Sequence, residues 1–528
     1  MGAVVGDHAS SGEMRRSSLA LAALAAAYLA TRLYRLLAIP VFVDEALHMT
    51  AAGQVLSDLS TGQRLGKWFS ILAYGIWMQV AGDSLLAARL LAVLLGLTTM
   101  LVLFFEGRAF GEKSISRGTF SALIYILAPL SLFYDRQVLT DEFLALLLAL
   151  IVFASFRFAA GGRWRDAVTV CMLVAVAPLF KGNGALFLPV PLLIVLTAAA
   201  DQLRPRLKRF AVPYAATLAV VMLIAKWISN VVPDVASAAF QGPVLGTVWA
   251  RAGANGVELT EILWVMLTPI SCVALLLGIV FVLISGDGRA KRRAAALSLV
   301  LAYLLLSYLV FYDALFSRYV LPAVVPVCML GAEALLLGWR QAHERLGGRA
   351  WVAATSAAVL LLASPALSSV RLLIAPGDAQ LTKNDVSQYF TGWTSGYGLE
   401  NAVADLRQLS LENADGIVLL RPPTLDQPLF GTHVYRKSLG PGVQVINLVN
   451  WESPEVAAEV ASALRSGIPV YLLFDSAYPF ARDEAAVTTV AQAFAIEEVR
   501  HYAKPGDNPG LVIWRITTKA QTGPRDGG

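Results

Sequence analysis

Two adjacent carboxylates, Asp44 and Glu45, follow the first long apolar segment of the chain, and His48 comes three residues later. A carboxylate partly withdrawn from water at a membrane surface can have a raised pKa and accept a proton from a hydroxyl group. The same pair would also suit the first turn of a helix, where the helix dipole favours acidic side chains. Adjacent residues on a helix point about 100° apart, so we expect one carboxylate to face a site while the other orients or caps.

A second group of residues could bind an anion. Arg136 and Lys181 each follow an apolar segment, Arg318 opens one, and Lys67 lies in the long loop after the first segment. Any one of them could simply extend its charge to the membrane interface or form a lone salt bridge. Together they occur on the side of the membrane that is otherwise poor in cations. A set of cations at that depth indicates a lipid phosphate, which arginine binds through its planar fork of donors.

Composition defines the surroundings of these residues. The chain has 528 residues, of which 57% are hydrophobic and 15% charged, whereas soluble domains have about 25% charged residues. The net charge of +5 comes from short clusters of cations between apolar segments. This arrangement is typical of membrane topology and not of nucleic-acid binding. The three cysteines lie inside apolar segments and show no disulfide or metal-ligand spacing.

The apolar segments predict a polytopic α-helical membrane protein. A bilayer core needs about 20 apolar residues per helix, and on that measure we count about eleven spans. They lie near residues 17–37, 85–105, 118–134, 141–160, 166–181, 184–200, 210–229, 259–285, 294–312, 319–338 and 350–371.

Arginine and lysine residues predict the orientation. They cluster in alternate loops, beginning with Arg15 and Arg16 before the first span. Because such clusters face the cytoplasm, we expect a cytoplasmic N-terminus in the cytoplasmic membrane, with the Asp44 loop and the C-terminal region outside. The first of these outer loops spans about residues 38–84, and its stretch after Glu45 has the spacing of an amphipathic interfacial helix.

The C-terminal region has a different composition. Residues 1–371 form the predicted transmembrane domain, and residues 372–519 form a predicted extracytoplasmic α/β domain, followed by a disordered tail at 520–528. Short β-rich segments at 416–420, 443–449, 468–474 and 511–516 alternate with helical patterns at 399–409, 454–465 and 483–494. This alternation is typical of an α/β domain.

These motifs resemble those of the C-type (GT-C) membrane glycosyltransferases. The similarity is greatest to the branch with protein O-mannosyltransferases and the aminoarabinose transferase of lipid A. It rests on the Asp44–Glu45 pair in a long first outer loop, Arg136 and Asp141 before the fourth span, Lys181-Gly after the fifth, and Arg318-Tyr before two prolines. Together their order, spacing and sidedness are specific, over about the first 340 residues. An outer C-terminal domain also fits bacterial members of the family.

The resemblance implies an enzyme of the cell envelope that transfers a sugar, with inversion, from a polyprenyl-phosphate donor to an acceptor hydroxyl. By matching position, Asp44 would be the general base, with Glu45 and His48 at the acceptor site. Arg136, Lys181 and Arg318 would bind the lipid phosphate and stabilise it as it leaves. Asp141 would orient Arg136 or contact the sugar.

The chain departs from this pattern at Lys67. It lies in Gly-Lys-Trp-Phe, whereas the aminoarabinose branch has Lys-Pro-Pro. Its expected contact with the phosphate, and any metal site of that branch, are therefore open, so the sequence assigns no cofactor and leaves a divalent metal possible. The acceptor, whether glycan, lipid or protein, is also open.

Two other function classes remain at this stage. A transporter or flippase of a lipid-linked anion would explain the cations, but transport sites usually lie mid-membrane and this chain has few ionisable residues there. A structural or sensory membrane protein would instead use its outer α/β domain to bind a ligand.

Overall fold

A computed structural model describes residues 11–109, 115–231, 245–346, 350–421, 427–447, 454–476 and 492–519. The chain forms two compact units. The first comprises Met1–Leu36, Gln54–Val80 and Leu86–Thr382, and the second comprises Leu37–Gly53, Ala81–Leu85 and Lys383–Gly528. The predicted disordered tail at 520–528 lies outside the described residues.

The first unit is helical. Its helices, with the two that reach into the second unit at one end, are α1 (Ser11–Leu33), α3 (Ser60–Arg64), α4 (Trp68–Ala81), α5 (Leu85–Ala109), α6 (Ile115–Leu127), α7 (Pro129–Tyr134), α8 (Asp141–Gly161), α9 (Trp164–Phe180), α10 (Val190–Ala198), α11 (Leu203–Val231), α12 (Leu245–Met266), α13 (Pro269–Ser285), α14 (Gly288–Phe311), α15 (Val324–Leu346) and α16 (Ala350–Ile374). Helix α2 (Val43–Val55) crosses from the second unit into the first.

Several of these helices can cross a membrane. Among the described residues, five are long and apolar enough by length and composition, and the bent pair α12–α13 would make a sixth. Helix α8 and the segment 317–345 are the most enclosed of these helices, since 72% of the most apolar stretch of each is buried. The chain is thus a multi-pass α-helical membrane protein, as predicted, while the number of eleven spans stays a prediction.

Prolines break two of the predicted spans. The segment 259–285, predicted as one span, bends by 98° between α12 and α13. Proline disfavours helical backbone in the preceding residue, and Thr268 before Pro269 has a φ of 67°. The segment 118–134 likewise divides at Ala128, which is extended before Pro129. By contrast, Pro178 lies inside α9 and the helix continues to Phe180.

The second unit contains the α/β domain expected near the C-terminus. Its strands are β1 (Ile417–Arg421), β2 (Val443–Asn447), β3 (Val470–Asp475), β4 (Ala495–Lys504) and β5 (Asn508–Thr517). They form one sheet in the order β2-β1-β3-β5-β4. The pairs β1–β2 and β1–β3 are parallel, whereas β3–β5 and β5–β4 are antiparallel. Helices α17 (Lys383–Val386), α18 (Leu399–Glu412), α19 (Gln427–Val434), α20 (Arg436–Leu439) and α21 (Pro454–Arg465) complete it.

Four of these strands match the β-rich segments of the sequence, and β4 was not predicted. Helices α18 and α21 also match their predicted patterns, while most of the pattern at 483–494 lies outside the described residues. The segment before α2 belongs to this unit as well, because Phe42 forms a β-bridge with Ser395. The N–H of Val43 donates to the Thr394 carbonyl at 3.0 Å.

Candidate functional site

Asp141 and Lys181 form a buried ion pair in the helical unit. Asp141 is the first residue of α8, and Lys181 directly follows α9. The Lys181 ammonium donates to Asp141 Oδ1 at 2.6 Å, and both side chains are almost fully enclosed. Asp141 was expected to orient Arg136 or contact the sugar; the structure pairs it with Lys181 instead of Arg136. A charge held in so dry a position interacts strongly with any further charge that enters.

Arg318 joins this pair through an aromatic ring. It lies in a short 3-10 helix, Ser317–Ala323, and is 8% exposed. The Lys181 ammonium lies 4.5 Å from the centre of the Tyr319 ring, and the Arg318 guanidinium lies 5.4 Å from the same centre. The face of the ring attracts both cations and excludes water from that side of them. The N–H groups that point away from the ring can still bind an anion. The structure thus brings together Asp141, Lys181 and Arg318, three of the residues singled out in the sequence.

Sequence reasoning missed the aromatic side chains of this group. Tyr312 packs against Tyr319 with ring centres 4.8 Å apart, and Tyr308 packs edge-on against Tyr312. Tyr308 is buried, and its hydroxyl has no hydrogen-bond partner among the described residues. Tyr308 lies on the last turn of α14 and Tyr312 directly follows the helix, so the tyrosines at the end of an apolar segment were the signal that could have identified them.

Glu142, next to Asp141, is also buried without a partner. Its side chain is 1% exposed, and neither carboxylate oxygen has a hydrogen-bond partner among the described residues. Buried polar groups are nearly always hydrogen-bonded, so an unpartnered carboxyl beside an ion pair is typical of a functional position.

Lys67 lies three residues before a contact with the end of α9. It is half-buried in the turn before α4, where its N–H donates to the Gly62 carbonyl at 3.2 Å. Three residues later, the Ser70 hydroxyl donates to the Phe180 carbonyl at 2.8 Å. The start of α4 is therefore attached to the residue that precedes Lys181.

Arg136 has a different environment from Lys181. It is 1% exposed, and its guanidinium donates to the carbonyls of Tyr34 at 2.9 Å and Arg35 at 2.7 Å. These carbonyls follow the end of α1, where a cation satisfies unpaired acceptors. Burial, together with the neighbouring Arg89, lowers the pKa of Arg136 to about 10. The hydrogen bonds described for Arg136 thus hold a turn, and its expected contact with the lipid phosphate stays a prediction.

The residue before it, Asp135, is the centre of a buried network. Its carboxylate accepts hydrogen bonds from the hydroxyls of Tyr28 and Tyr125, each at 2.9 Å, and lies 3.6 Å from Arg32 Nε. Burial raises the pKa of Asp135 to about 6, against the opposing effects of Arg32 and the two tyrosines. Because α1, α6 and the 135–140 turn meet here, this network fixes the backbone that leads to Asp141.

The second unit contains Asp44, Glu45 and His48, all on α2. Glu45 is fully buried, and its Oε2 accepts a hydrogen bond from the N–H of Phe42 at 3.0 Å. A glutamate that reaches back to the N–H three residues earlier is half of a capping box. Asp44 is only half-buried, whereas His48 is 1% exposed. The two carboxylates therefore do differ, as their positions on the helix predict, and Glu45 is the one that caps.

No group of three or more histidine, cysteine, aspartate or glutamate residues within the described part of the chain could hold a metal ion. We derive no catalytic step that uses a metal ion.

The chain superimposes on the crystal structure of ArnT from Cupriavidus metallidurans bound to undecaprenyl phosphate with a TM-score of 0.58 and 14% identity, covering 96% of this chain and 98% of that one. The chain has the fold of the C-type membrane glycosyltransferases. This confirms the resemblance read from the sequence. The apo state of the same ArnT gives a TM-score of 0.53 at 14% identity, with the same coverage of both chains.

The sequence itself carries a further similarity. Residues 65–229 match the family model described as dolichyl-phosphate-mannose-protein mannosyltransferase. This segment includes Arg136, Asp141 and Lys181, and it ends before Arg318. A comparison with curated proteins finds no match.

Proposed function

We propose that this protein is an inverting glycosyltransferase that moves a sugar from a polyprenyl-phosphate donor to an acceptor hydroxyl at the outer face of the cytoplasmic membrane. The observation that carries the proposal is the buried group of Lys181 and Arg318 around the Tyr319 ring. Two enclosed cations beside each other suit a phosphate that gains negative charge as the sugar leaves. The family-model match and the ArnT-like fold support the same reaction class.

An apolar groove in the helical unit suits the polyprenyl chain of such a donor. It has a volume of about 660 Å³ and is lined along α15 from Val324 to Ala342, a length of about 27 Å at 1.5 Å per residue. The groove begins six residues after Arg318, which would place the phosphate at the cations and the chain along α15. Gly338 lines it, and a Cβ atom there would meet no atom within 4 Å.

In the proposed reaction, Asp44 takes the proton of the acceptor hydroxyl. The acceptor oxygen attacks the anomeric carbon, forming the new glycosidic bond, while the bond from that carbon to the phosphate oxygen breaks. Lys181 and Arg318 stabilise the departing polyprenyl phosphate. Glu45 serves the acceptor site by capping α2 and so holding Asp44 in place, and His48 and Asp141 bind substrate. Support for Asp44 as the base comes from its position in the family motif and its partial exposure.

Binding of undecaprenyl phosphate to the purified chain tests the phosphate site. We expect Lys181→Met and Arg318→Met each to weaken binding at least about tenfold, because each removes a charge-assisted contact. Undecaprenol, which has no phosphate, should bind the parent and both variants alike. Equal loss of undecaprenol binding would mean that the variants distort the fold, and unchanged phosphate-lipid binding would remove both cations from the site.

Sugar transfer in membranes tests the reaction and the base. Asp44→Asn should lower turnover by about 10² to 10⁴, the usual contribution of a general base, with little change in donor binding. Asp58→Asn, a nearby exposed carboxylate, is the matched control. Near-parental turnover of Asp44→Asn would remove Asp44 as the base. If labelled lipid crosses the bilayer intact and no sugar is transferred, the protein is a transporter.

A further inference from the structure

A second cavity lies at the other end of the helical unit. It has a volume of about 560 Å³, and we call it the arginine cavity after its six arginines, which are Arg117, Arg206, Arg289, Arg292, Arg293 and Arg340. Ala160 of α8 lines it, whereas Asp141 begins the same helix. At 1.5 Å per residue the two positions are about 28 Å apart, close to the thickness of a bilayer core. The arginine cavity is therefore separate from the Lys181 site.

The floor of the arginine cavity is electrically balanced. Arg293 pairs with both oxygens of Glu106, and its Nε lies 2.6 Å from Glu333 Oε1. Arg117 Nε lies 2.9 Å from the same Glu333 oxygen. These four side chains are all less than a tenth exposed and come from four different helices. Two buried arginines and two buried glutamates leave the floor neutral and rigid.

The wall above this floor carries excess positive charge. Beyond the floor, the lining has four arginines and two carboxylates. One of these carboxylates, Asp287, is occupied as the N-cap of α14, accepting from two backbone N–H groups at 2.8 Å. The other, Asp201, is 78% exposed and pairs with Arg292 at 3.2 Å. Arg206 donates to the Ala160 carbonyl at 3.0 Å, which aligns its guanidinium along the wall.

Apolar residues line the same cavity beside the arginines. Phe156, Leu336 and Leu337 face it together with several alanines. Its volume lies within the range of small-molecule sites, which is about 300–1,000 Å³. A polar wall of guanidinium groups next to an apolar one matches a ligand with a phosphate and an adjoining hydrocarbon part, because arginine binds phosphate oxygens through paired donors.

We propose that the arginine cavity is a phosphate-binding site, distinct from the transfer site, that takes the headgroup of an anionic membrane lipid. Basic pockets between membrane helices on the cation-rich side bind such headgroups in other proteins. A lipid held there contacts α6, α8, α14 and α15 at one end, and α8 and the segment before α15 carry Asp141 and Arg318 at the other. A soluble phosphate compound would use the same guanidinium groups, so the test separates the two sources.

Native mass spectrometry of the purified full chain, after delipidation, provides that test. Cardiolipin and phosphatidylglycerol are added in one arm, inorganic pyrophosphate in a second, and phosphatidylcholine in a third. The double variant Arg289→Gln/Arg340→Gln lowers the wall charge and leaves the buried floor intact. Arg163→Gln/Arg165→Gln makes the same change in charge at a cation-rich loop that does not line the cavity.

We expect the Arg289/Arg340 variant to bind cardiolipin at least about tenfold more weakly than the parent, with the Arg163/Arg165 variant unchanged. Phosphatidylcholine should bind both variants and the parent alike. Loss of pyrophosphate binding alone would keep the phosphate site and assign it to a soluble ligand. Equal cardiolipin and pyrophosphate binding by the parent and the Arg289/Arg340 variant would overturn the proposal.

Discussion

Removing one member of the Asp141–Lys181 pair should destabilise the fold, and removing both should restore it. The Lys181 Nζ to Asp141 Oδ1 distance is 2.6 Å, and both side chains are nearly excluded from solvent. Loss of one partner from a buried pair leaves an uncompensated charge, which costs about 3–5 kcal/mol. We therefore expect Asp141→Asn and Lys181→Met each to lower the free energy of unfolding by about 3 kcal/mol.

The double variant Asp141→Asn/Lys181→Met removes both charges and should lie within about 1 kcal/mol of the parent, since neutral replacement of a buried pair is often nearly without effect. The coupling energy of the double-mutant cycle would then be about 5 kcal/mol, above the usual range of about 0.5–3 kcal/mol for residues in contact. Equilibrium unfolding in mixed micelles, followed by tryptophan fluorescence, measures all four proteins. Additive effects of the two substitutions would refute the reasoning.

The exposed pair Arg292–Asp201 is the control for this cycle. Its side chains are 36% and 78% exposed, so solvent screens it and its coupling should stay below about 1 kcal/mol. The Asp141/Lys181 cycle also separates stability from function. If Lys181 binds the donor phosphate, the stable double variant should still bind undecaprenyl phosphate poorly. Restored lipid binding in that variant would mean that Lys181 has only a structural role.

Three further predictions concern the helical unit. Gly338→Phe should fill the apolar groove and weaken undecaprenyl phosphate binding about tenfold, whereas Gly256→Phe, at another open helical position, should not. Burial raises the pKa of Asp135 to about 6. The contribution of this shift to the free energy of unfolding is therefore complete below about pH 4 and is lost by about pH 6. Asp135→Asn should remove this pH-dependent contribution, which is on the order of 3 kcal/mol. A Cβ atom at Gly96 would overlap Asp135 and the Tyr28 hydroxyl, so Gly96→Ala should lower the unfolding midpoint while Gly256→Ala leaves it unchanged.

The hydropathy pattern accounts for most of what could be predicted of the fold from the sequence. Apolar length marks membrane helices because the bilayer is their solvent, and the C-terminal α/β domain follows from its alternating pattern. The bend at Thr268–Pro269 was missed because an uncharged apolar segment is compatible with a straight helix as well as a bent one. Strand β4 was missed because it is an edge strand rich in charge, with Glu497, Glu498 and Arg500, and edge strands carry such residues to prevent aggregation.

The residue types of the candidate site could be predicted from the sequence, but the pairs that these residues form could not. Lys181 and Asp141 stand 40 positions apart, and Arg293 and Glu106 stand 187 apart. The hydropathy pattern indicates how deep in the membrane a charged side chain lies. It does not indicate which helix carries the oppositely charged side chain that pairs with it. Glu45 shows the opposite case, because a capping contact is local and was one of the two interpretations open from sequence.

The buried cations of the helical unit differ in the number of polar partners that the fold gives them. Arg32 and Arg136 donate to carbonyls of the chain, while Arg293 pairs with two glutamates at once. Arg32 and Arg293 also lie over ring faces, 4.5 Å from the centre of Tyr28 and 4.7 Å from that of Phe156, so each has several polar partners as well as a ring. The Lys181 ammonium instead has Asp141 on one side and the face of Tyr319 on the other. A ring face attracts a cation weakly and can be replaced by a phosphate oxygen at little cost. An ammonium has three donors, and the described residues give that of Lys181 one hydrogen-bond acceptor, Asp141, so Lys181 is the best suited of these cations to bind a substrate anion.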